Sequence, residues 1–254
     1  MDKITFAIAR TPADTMGRGI TEARLGPPDY ELALEQHARY VRALESLGVE
    51  VLTLPPAPEY PDAHFVEDTA VIVPGGAVIT RPGAESRRGE ERSIEPALAP
   101  RMPVQRIEAP GTLDGGDVLA AGGVFFVGIS RRTNENGARQ LGSALERAGV
   151  EWRPVPVEAG LHLKSSASYL GGNTLLVNDS TAEAAEFEGF DRIIVTETEQ
   201  GAASILAIND RLLIPSGYPQ TRAELEGRGF ETMELDISEM QKMDGGLTCL
   251  SIRI

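Results

Sequence analysis

The stretch Val118-Leu119-Ala120-Ala121-Gly122-Gly123-Val124-Phe125-Phe126-Val127 decides the fold. Two apolar runs flank a glycine pair, and glycine reaches the positive φ that a tight hairpin turn requires. The pattern recurs along the chain. Ala70 to Val73 and Ala77 to Arg81 flank Gly75-Gly76, Ser168 to Leu170 and Thr174 to Val177 flank Gly171-Gly172, and Ser204 to Ile208 and Leu212 to Pro215 flank Asn209-Asp210. The turns are spaced by about 47, 49 and 38 residues, which is repeat-like. The hairpins lie between short apolar strands, each reached through a helix or loop, near 49–54, 103–108, 150–157, 191–196 and 230–235.

Four hairpins leave a strand at 4–8 and another at 248–254 without partners. Pairing the two ends supplies a fifth module and removes an open sheet edge, as ring-closed propellers do. The expected architecture is α/β, one domain spanning 1–254, with fivefold pseudosymmetry. Helices are expected at 29–47, 87–99, 133–148, 179–188 and 219–228. The alternative is an α/β domain with a mixed sheet. In the first helix Asp29 is the N-cap, and Tyr30, Leu34, His37, Val41 and Leu44 form the apolar face. Thr15 to Pro28, rich in glycine and charge, is expected to be a loop long enough to act as a lid.

Composition narrows the function. The 254 residues carry 38 acidic against 24 basic side chains, a formal net charge of −14. That opposes a general nucleic-acid binder, which needs a basic face, and suits cationic ligands. One cysteine excludes an internal disulfide and fits a reducing, cytoplasmic setting. No run reaches the roughly 18 apolar residues of a membrane-spanning helix. No membrane or nucleic-acid partner is expected.

That single cysteine, Cys249, ends the stretch Asp244-Gly245-Gly246-Leu247-Thr248-Cys249. A lone cysteine is ordinarily a small buried hydrophobe. Three other clusters argue for chemistry: Asp62-Ala63-His64-Phe65-Val66-Glu67-Asp68, Asp114-Gly115-Gly116-Asp117 and Leu161-His162-Leu163-Lys164. Strand alternation would place His162 and Lys164 on one face. A thiol nucleophile needs a base, and the base an orienting carboxylate; Cys249, His162 and Asp114 offer all three. Carboxylates at 67 and 68 would attract a planar guanidinium. Arginines in Ser86-Arg87-Arg88 and Arg131-Arg132-Thr133 could clamp a carboxylate or could be solvated helix-start charge. The scatter of the histidines and the cysteine lacks zinc-like ligand spacing, so no metal is expected.

Phe65-Val66-Glu67-Asp68, Thr80-Arg81-Pro82-Gly83-Ala84, Ser86-Arg87-Arg88, Leu113-Asp114-Gly115-Gly116-Asp117, Arg132-Thr133-Asn134, Leu161-His162-Leu163-Lys164-Ser165 and Asp244 to Cys249 together resemble the dimethylarginine dimethylaminohydrolase family. The resemblance runs from about Arg10 to the C-terminus. It implies the five-bladed α/β propeller of the guanidine-modifying (pentein) superfamily and a cofactor-independent hydrolase of Nω-methylated arginines. It implies Cys249 as nucleophile, His162 as acid and base, and Asp114 as its orienting partner, where some relatives carry Glu. It further implies Asp68 and Glu67 on the guanidinium, and Arg87 and Arg132 on the substrate carboxylate. Asp62 with the backbone near Ile20 and Met243 would take the α-amino end. A monomer or homodimer is expected. The alternatives are another guanidine-modifying enzyme, such as an arginine deiminase, or a non-catalytic arginine-binding protein. Those deiminases and the amidinotransferases carry an acid two positions after the histidine, where this chain has Lys164.

Overall fold

The computed structural model describes residues 3–254. The chain divides into two compact units, Met1–Val66 with Ser204–Ile254, and Glu67–Ala203. The first unit opens with β1 (Phe6–Arg10), α1 (Tyr30–Ser46) and β2 (Glu50–Leu54). The second holds β3 (Ala70–Val73), β4 (Gly76–Ile79), α2 (Glu95–Leu98) and β5 (Val104–Arg106). It continues with β6 (Val118–Ala121), β7 (Val124–Ile129), α3 (Glu135–Arg147), β8 (Glu151–Pro156), β9 (Ala167–Gly171), β10 (Thr174–Val177) and β11 (Asp191–Ile194). The returning chain adds β12 (Leu206–Ile208), β13 (Arg211–Pro215), α4 (Pro219–Gly227), β14 (Thr232–Leu235), α5 (Ser238–Gln241) and β15 (Ile252–Arg253) to the first unit.

Among the described residues these strands form five three-stranded sheets, ordered β3-β4-β5, β6-β7-β8, β9-β10-β11, β12-β13-β14 and β15-β1-β2. Every sheet has one plan. An antiparallel hairpin is followed by a crossover to a strand parallel to the central one. The fifth repeats the plan with its antiparallel partner taken from the opposite end of the chain, Ala7 facing Arg253 and Ile8 facing Ile252. The two termini therefore share a sheet, as the unpaired ends of the sequence require.

The turns follow from local chemistry. Gly122 and Gly123 sit at φ 59° and 85°, and Asn209 at φ 50°, the left-handed region that tight hairpins need. Central strands are covered on both sides and are apolar: all of β1 is buried, whereas its parallel neighbour β2 is largely exposed. The apolar cores are local to each unit. Tyr40, Leu44, Leu206, Leu213 and Leu250 belong to one in the first unit. The second unit has one around Val127, Leu141 and Leu145 and another around Phe126, Leu175 and Phe187.

Several expectations are corrected. The helix expected at 87–99 is two 3-10 turns and the four-residue α2. That at 179–188 is reduced to turns with a 3-10 turn at Ala185–Phe187. In α1, Asp29 does cap, accepting from the Leu32 N–H, but the buried face is Ala33, Gln36, His37, Tyr40, Ala43 and Leu44. Gln36 can be buried because its amide bonds Ser238 Oγ and the Glu239 N–H at the start of α5, satisfying polar groups that apolar periodicity cannot anticipate. The C-terminal strand is only two residues; Thr248–Leu250 is a 3-10 turn with Cys249 at its centre. Among the described residues no helix is long and apolar enough to cross a membrane.

Candidate active site

Within the second unit the short polar segments between hairpins carry a buried charge cluster. Glu67 and Asp68 lie in the 3-10 turn Val66–Thr69, just before β3. Asp114 precedes the 3-10 turn Gly115–Asp117 that leads into β6, and its side chain is fully buried. His162 is extended and precedes the 3-10 turn Leu163–Ser165. It is a turn, rather than strand alternation, that separates His162 from Lys164.

The structure brings His162 and Asp114 together: Nε2 lies 3.0 Å from Asp114 Oδ2. The other oxygen of Asp114 accepts from the Gly83 N–H at 2.9 Å, so the carboxylate is held from both sides. Asp68 Oδ1 stands 3.9 Å from the same His162 nitrogen. It accepts from the Gly116 N–H at 2.8 Å, while Oδ2 accepts from Arg87 Nη1 at 2.6 Å. A side chain at 116 could not be accommodated, because its Cβ would lie 2.6 Å from His162 Nδ1 and 2.9 Å from Asp68 Oδ1. The Asp68, Asp114 and His162 ligand atoms approach within 4.8 Å of one another. All four carboxylate oxygens nevertheless already accept or face N–H groups, so we assign no metal to them.

Burial alone would lower the His162 pKa, but Asp68, the Asp114 hydrogen bond and Asp117 outweigh it and raise it to about 9. His162 is therefore an imidazolium at neutral pH. Asp68 is held well below the usual carboxylate range: burial acts to raise it, and the His162 and Arg87 charges with their hydrogen bonds prevail. A second buried histidine, His37 on α1, behaves oppositely, desolvation lowering it to about 4. These shifts give stability two pH limbs. The His162 contribution is complete below about pH 6.5 and is lost as pH rises through about 9. The His37 contribution is complete above about pH 6.5 and is lost as pH falls toward 4. Each limb amounts to roughly 3 kcal/mol at about 1.4 kcal/mol per unit. Urea denaturation of wild type and His37→Gln between pH 4 and 7 tests the acid limb. The variant is expected to show the shallower slope, and equal slopes would oppose the assignment.

Arg87, expected on a substrate carboxylate, is buried between two protein carboxylates. Besides Asp68 it donates from Nε and Nη2 to Glu90, at 3.1 Å and 2.8 Å, and its pKa rises further, burial being outweighed by Glu90 and Asp68. Removing it would strand two buried anions. Arg87→Ala should therefore cost about 3–5 kcal/mol of unfolding free energy, and a loss below about 1 kcal/mol in urea titration would contradict this. Glu90 carried no sequence-level signal beyond its i,i+3 spacing from Arg87. Lys164 Nζ pairs with Glu67 Oε1 at 2.7 Å, both side chains largely buried, so Glu67 already has a cationic partner. Arg132 lies 3.8 Å from Asp114 Oδ2, and its buried Nη1 makes no hydrogen bond.

The remaining expected residues lie in the first unit. Asp62 is buried and accepts from the Ile20 N–H at 3.1 Å. Ile20 is itself exposed, and Met243 is buried in the core. Cys249 is half-buried against that core, and the Gly246 N–H points to its Sγ at 3.4 Å. The glycine pair before it has a packing cause: Cβ atoms at 245 and 246 would collide with the Phe65 ring and with Ser204 Oγ. The expected lid segment is tied down, Thr21 Oγ1 donating to the Lys242 carbonyl and the Glu22 N–H to Asp244.

Repeated hairpin-and-crossover sheets carrying a buried imidazole between carboxylates define an α/β propeller of five blades with a polar, acid–base site. No family model matches the chain. Over 248 residues, 97% of the chain and 98% of the relative, it is 45% identical to the N(G),N(G)-dimethylarginine dimethylaminohydrolase of Pseudomonas aeruginosa. A solved structure of that organism's enzyme, the C249S mutant complexed with citrulline, superposes with a TM-score of 0.97 at 43% identity, covering 99% of this chain and 100% of the other. A dimethylarginine dimethylaminohydrolase H162G adduct with S-methyl-L-thiocitrulline gives 0.96 at 43% identity, over 99% and 100%. This chain belongs to the dimethylarginine dimethylaminohydrolase family.

Proposed function

We propose that this protein hydrolyses Nω,Nω-dimethylarginine and Nω-monomethylarginine to citrulline, releasing dimethylamine or methylamine. The observation that carries the reading is the buried His162 imidazolium between Asp114 and Asp68, in a chain of this family. Residues 1–254 act as one functional domain.

A guanidinium is resonance-stabilised and a poor electrophile, so it must be held and polarised throughout the attack. Asp68 is suited to hold it, being ionised and fixed by the Gly116 N–H and Arg87. Glu67 gives its second carboxylate, shared with Lys164. The Cys249 thiolate attacks the guanidinium carbon, forming a C–S bond and a tetrahedral centre. That centre expels the alkylamine as His162 delivers its proton to the leaving nitrogen, producing an S-alkylthiouronium. The now neutral His162, kept oriented by Asp114, takes a proton from water as the oxygen attacks the same carbon. Collapse of this second tetrahedral centre breaks the C–S bond, restores the thiolate beside the imidazolium and releases citrulline, its hydroxyl proton passing to solvent, where the freed alkylamine takes it up. No cofactor is needed, since no electron is transferred. The unbonded Arg132 Nη1 supports a role for that residue on the substrate carboxylate. Arg87 would then orient Asp68 and act at the same end of the substrate. Asp62, with the backbone at Ile20 and Met243, takes the α-amino group.

Lys164 stands where an acid would pair the outer N–H groups of unsubstituted arginine. Those donors would be left without acceptors, whereas N-methyl groups need none. Citrulline release should therefore be much faster from dimethylarginine and monomethylarginine than from arginine. Comparable kcat/KM for arginine would assign the chain to deimination instead, and no release from any of the three would refute a catalytic role.

A further inference from the structure

We infer that Asp117 is a positioning residue that locks His162, the Arg132 loop and the Asp114 turn into one rigid acid–base unit. This deepens the proposed function and rests on it for the kinetic readout. Asp117 is the second acid of Asp114-Gly115-Gly116-Asp117, and the mechanism does not use it. Its side chain is fully buried, which for a carboxylate demands compensation by hydrogen bonds or charge.

The compensation comes from three segments. Oδ1 accepts from the Leu163 N–H at 3.0 Å, the peptide immediately after His162. Oδ2 accepts from Ser130 Oγ at 2.7 Å. Ser130 Oγ in turn accepts from the N–H groups of Arg132 and Thr133, at 2.9 Å and 3.1 Å. The loop closes back on the acid turn, because Thr133 Oγ1 accepts from the Asp114 N–H at 3.1 Å. One carboxylate thus ties the backbone carrying the imidazole, the loop carrying Arg132 and the turn carrying the imidazole's partner. Removing it would free all three at once, where loss of an ordinary core contact would loosen one.

The charge has its own effect. Burial pushes the Asp117 carboxyl up, opposed by the His162 charge and by hydrogen bonds from Ser130, Thr133 and Leu163. Asp117 is one of three carboxylates acting on His162, with Asp68 and Asp114. The cations near this cluster are Arg87, paired with Asp68, and Arg132, beside Asp114; Lys164 is paired with Glu67.

Asp117→Asn removes the charge and the acceptor used by the Ser130 hydroxyl, while its amide oxygen can still accept from the Leu163 N–H. NMR titration of the His162 imidazole in the free protein should show its midpoint lowered by about one unit or more. With dimethylarginine, kcat should fall about 100-fold while KM changes less than about threefold, and the alkaline limb of the pH profile should move down with the imidazole midpoint. An unmoved midpoint with wild-type kcat overturns the inference. So does a lower melting temperature with the midpoint unmoved, which would mark Asp117 as structural only. Should that variant not fold, Ser130→Ala keeps the charge and removes one donor and its backbone links. An approximately tenfold loss of kcat is then expected, and unchanged kinetics overturn the inference. A wild-type protein that releases no citrulline refutes the proposed function instead, and the imidazole titration still decides the role of Asp117.

Discussion

Replacing Cys249 with serine should abolish citrulline release, lowering kcat on dimethylarginine by on the order of 10⁴-fold or more. A serine hydroxyl remains protonated in the range where a thiol can supply thiolate, and the sulfur is the better nucleophile toward a stabilised guanidinium carbon. The substitution is almost isosteric. Thr248 and Leu250 stay buried on either side, the Gly246 N–H keeps an acceptor at the Cys249 position, and the melting temperature should stay within about 2 °C. Loss of activity in a protein that melts normally therefore reads as loss of the nucleophile. A serine variant within tenfold of wild type would remove Cys249 from the mechanism and return it to the ordinary standing of a small, half-buried side chain.

Deleting Leu250 to Ile254 should prevent the first unit from folding. The five residues look like a tail, but Leu250 is fully buried and Ile252 nearly so. Removing such side chains costs about 2–5 kcal/mol each. The Thr5 and Phe6 N–H groups donate to the Ile254 carbonyl at 2.9 Å and 3.1 Å, and the Ile254 N–H donates to Phe6 at 2.8 Å. The Ser251 and Tyr40 hydroxyls bond at 2.7 Å inside the core. The combined loss approaches the whole stability of a typical domain, about 5–15 kcal/mol. Far-UV circular dichroism and size-exclusion chromatography of the truncated chain should show an unfolded or aggregated protein. A truncation with a wild-type cooperative melt would show that β1 does not depend on its C-terminal partner.

The hairpins were legible because their cause is local. Turns at Gly122-Gly123 and Asn209 need positive φ, and the strands beside them need apolar side chains on covered faces. Asp29 capping α1 is local in the same sense. The 87–99 segment misled because its charges suggest a solvated helix. Its turns are instead shaped by Arg87 and Glu90, which are buried together. The reason for the Gly245-Gly246 pair is not local either: Phe65 and Ser204, distant in the chain, fill the space beside it.

From the sequence alone came the repeating hairpin module, the pairing of the chain ends and the inventory of reactive groups, with Cys249, His162 and Asp114 among them. Only the tertiary structure decided which charge meets which. Asp68 is given to Arg87, Arg87 also to Glu90, Glu67 to Lys164, and Asp117 to the backbone behind His162. Local spacing encodes turns, strand faces and helix caps, because those depend on neighbours a few residues away. Pairing among 38 acidic and 24 basic side chains is set by distance and desolvation between segments far apart in the chain, and there burial makes a contact of about 3 Å count for far more than it does in water.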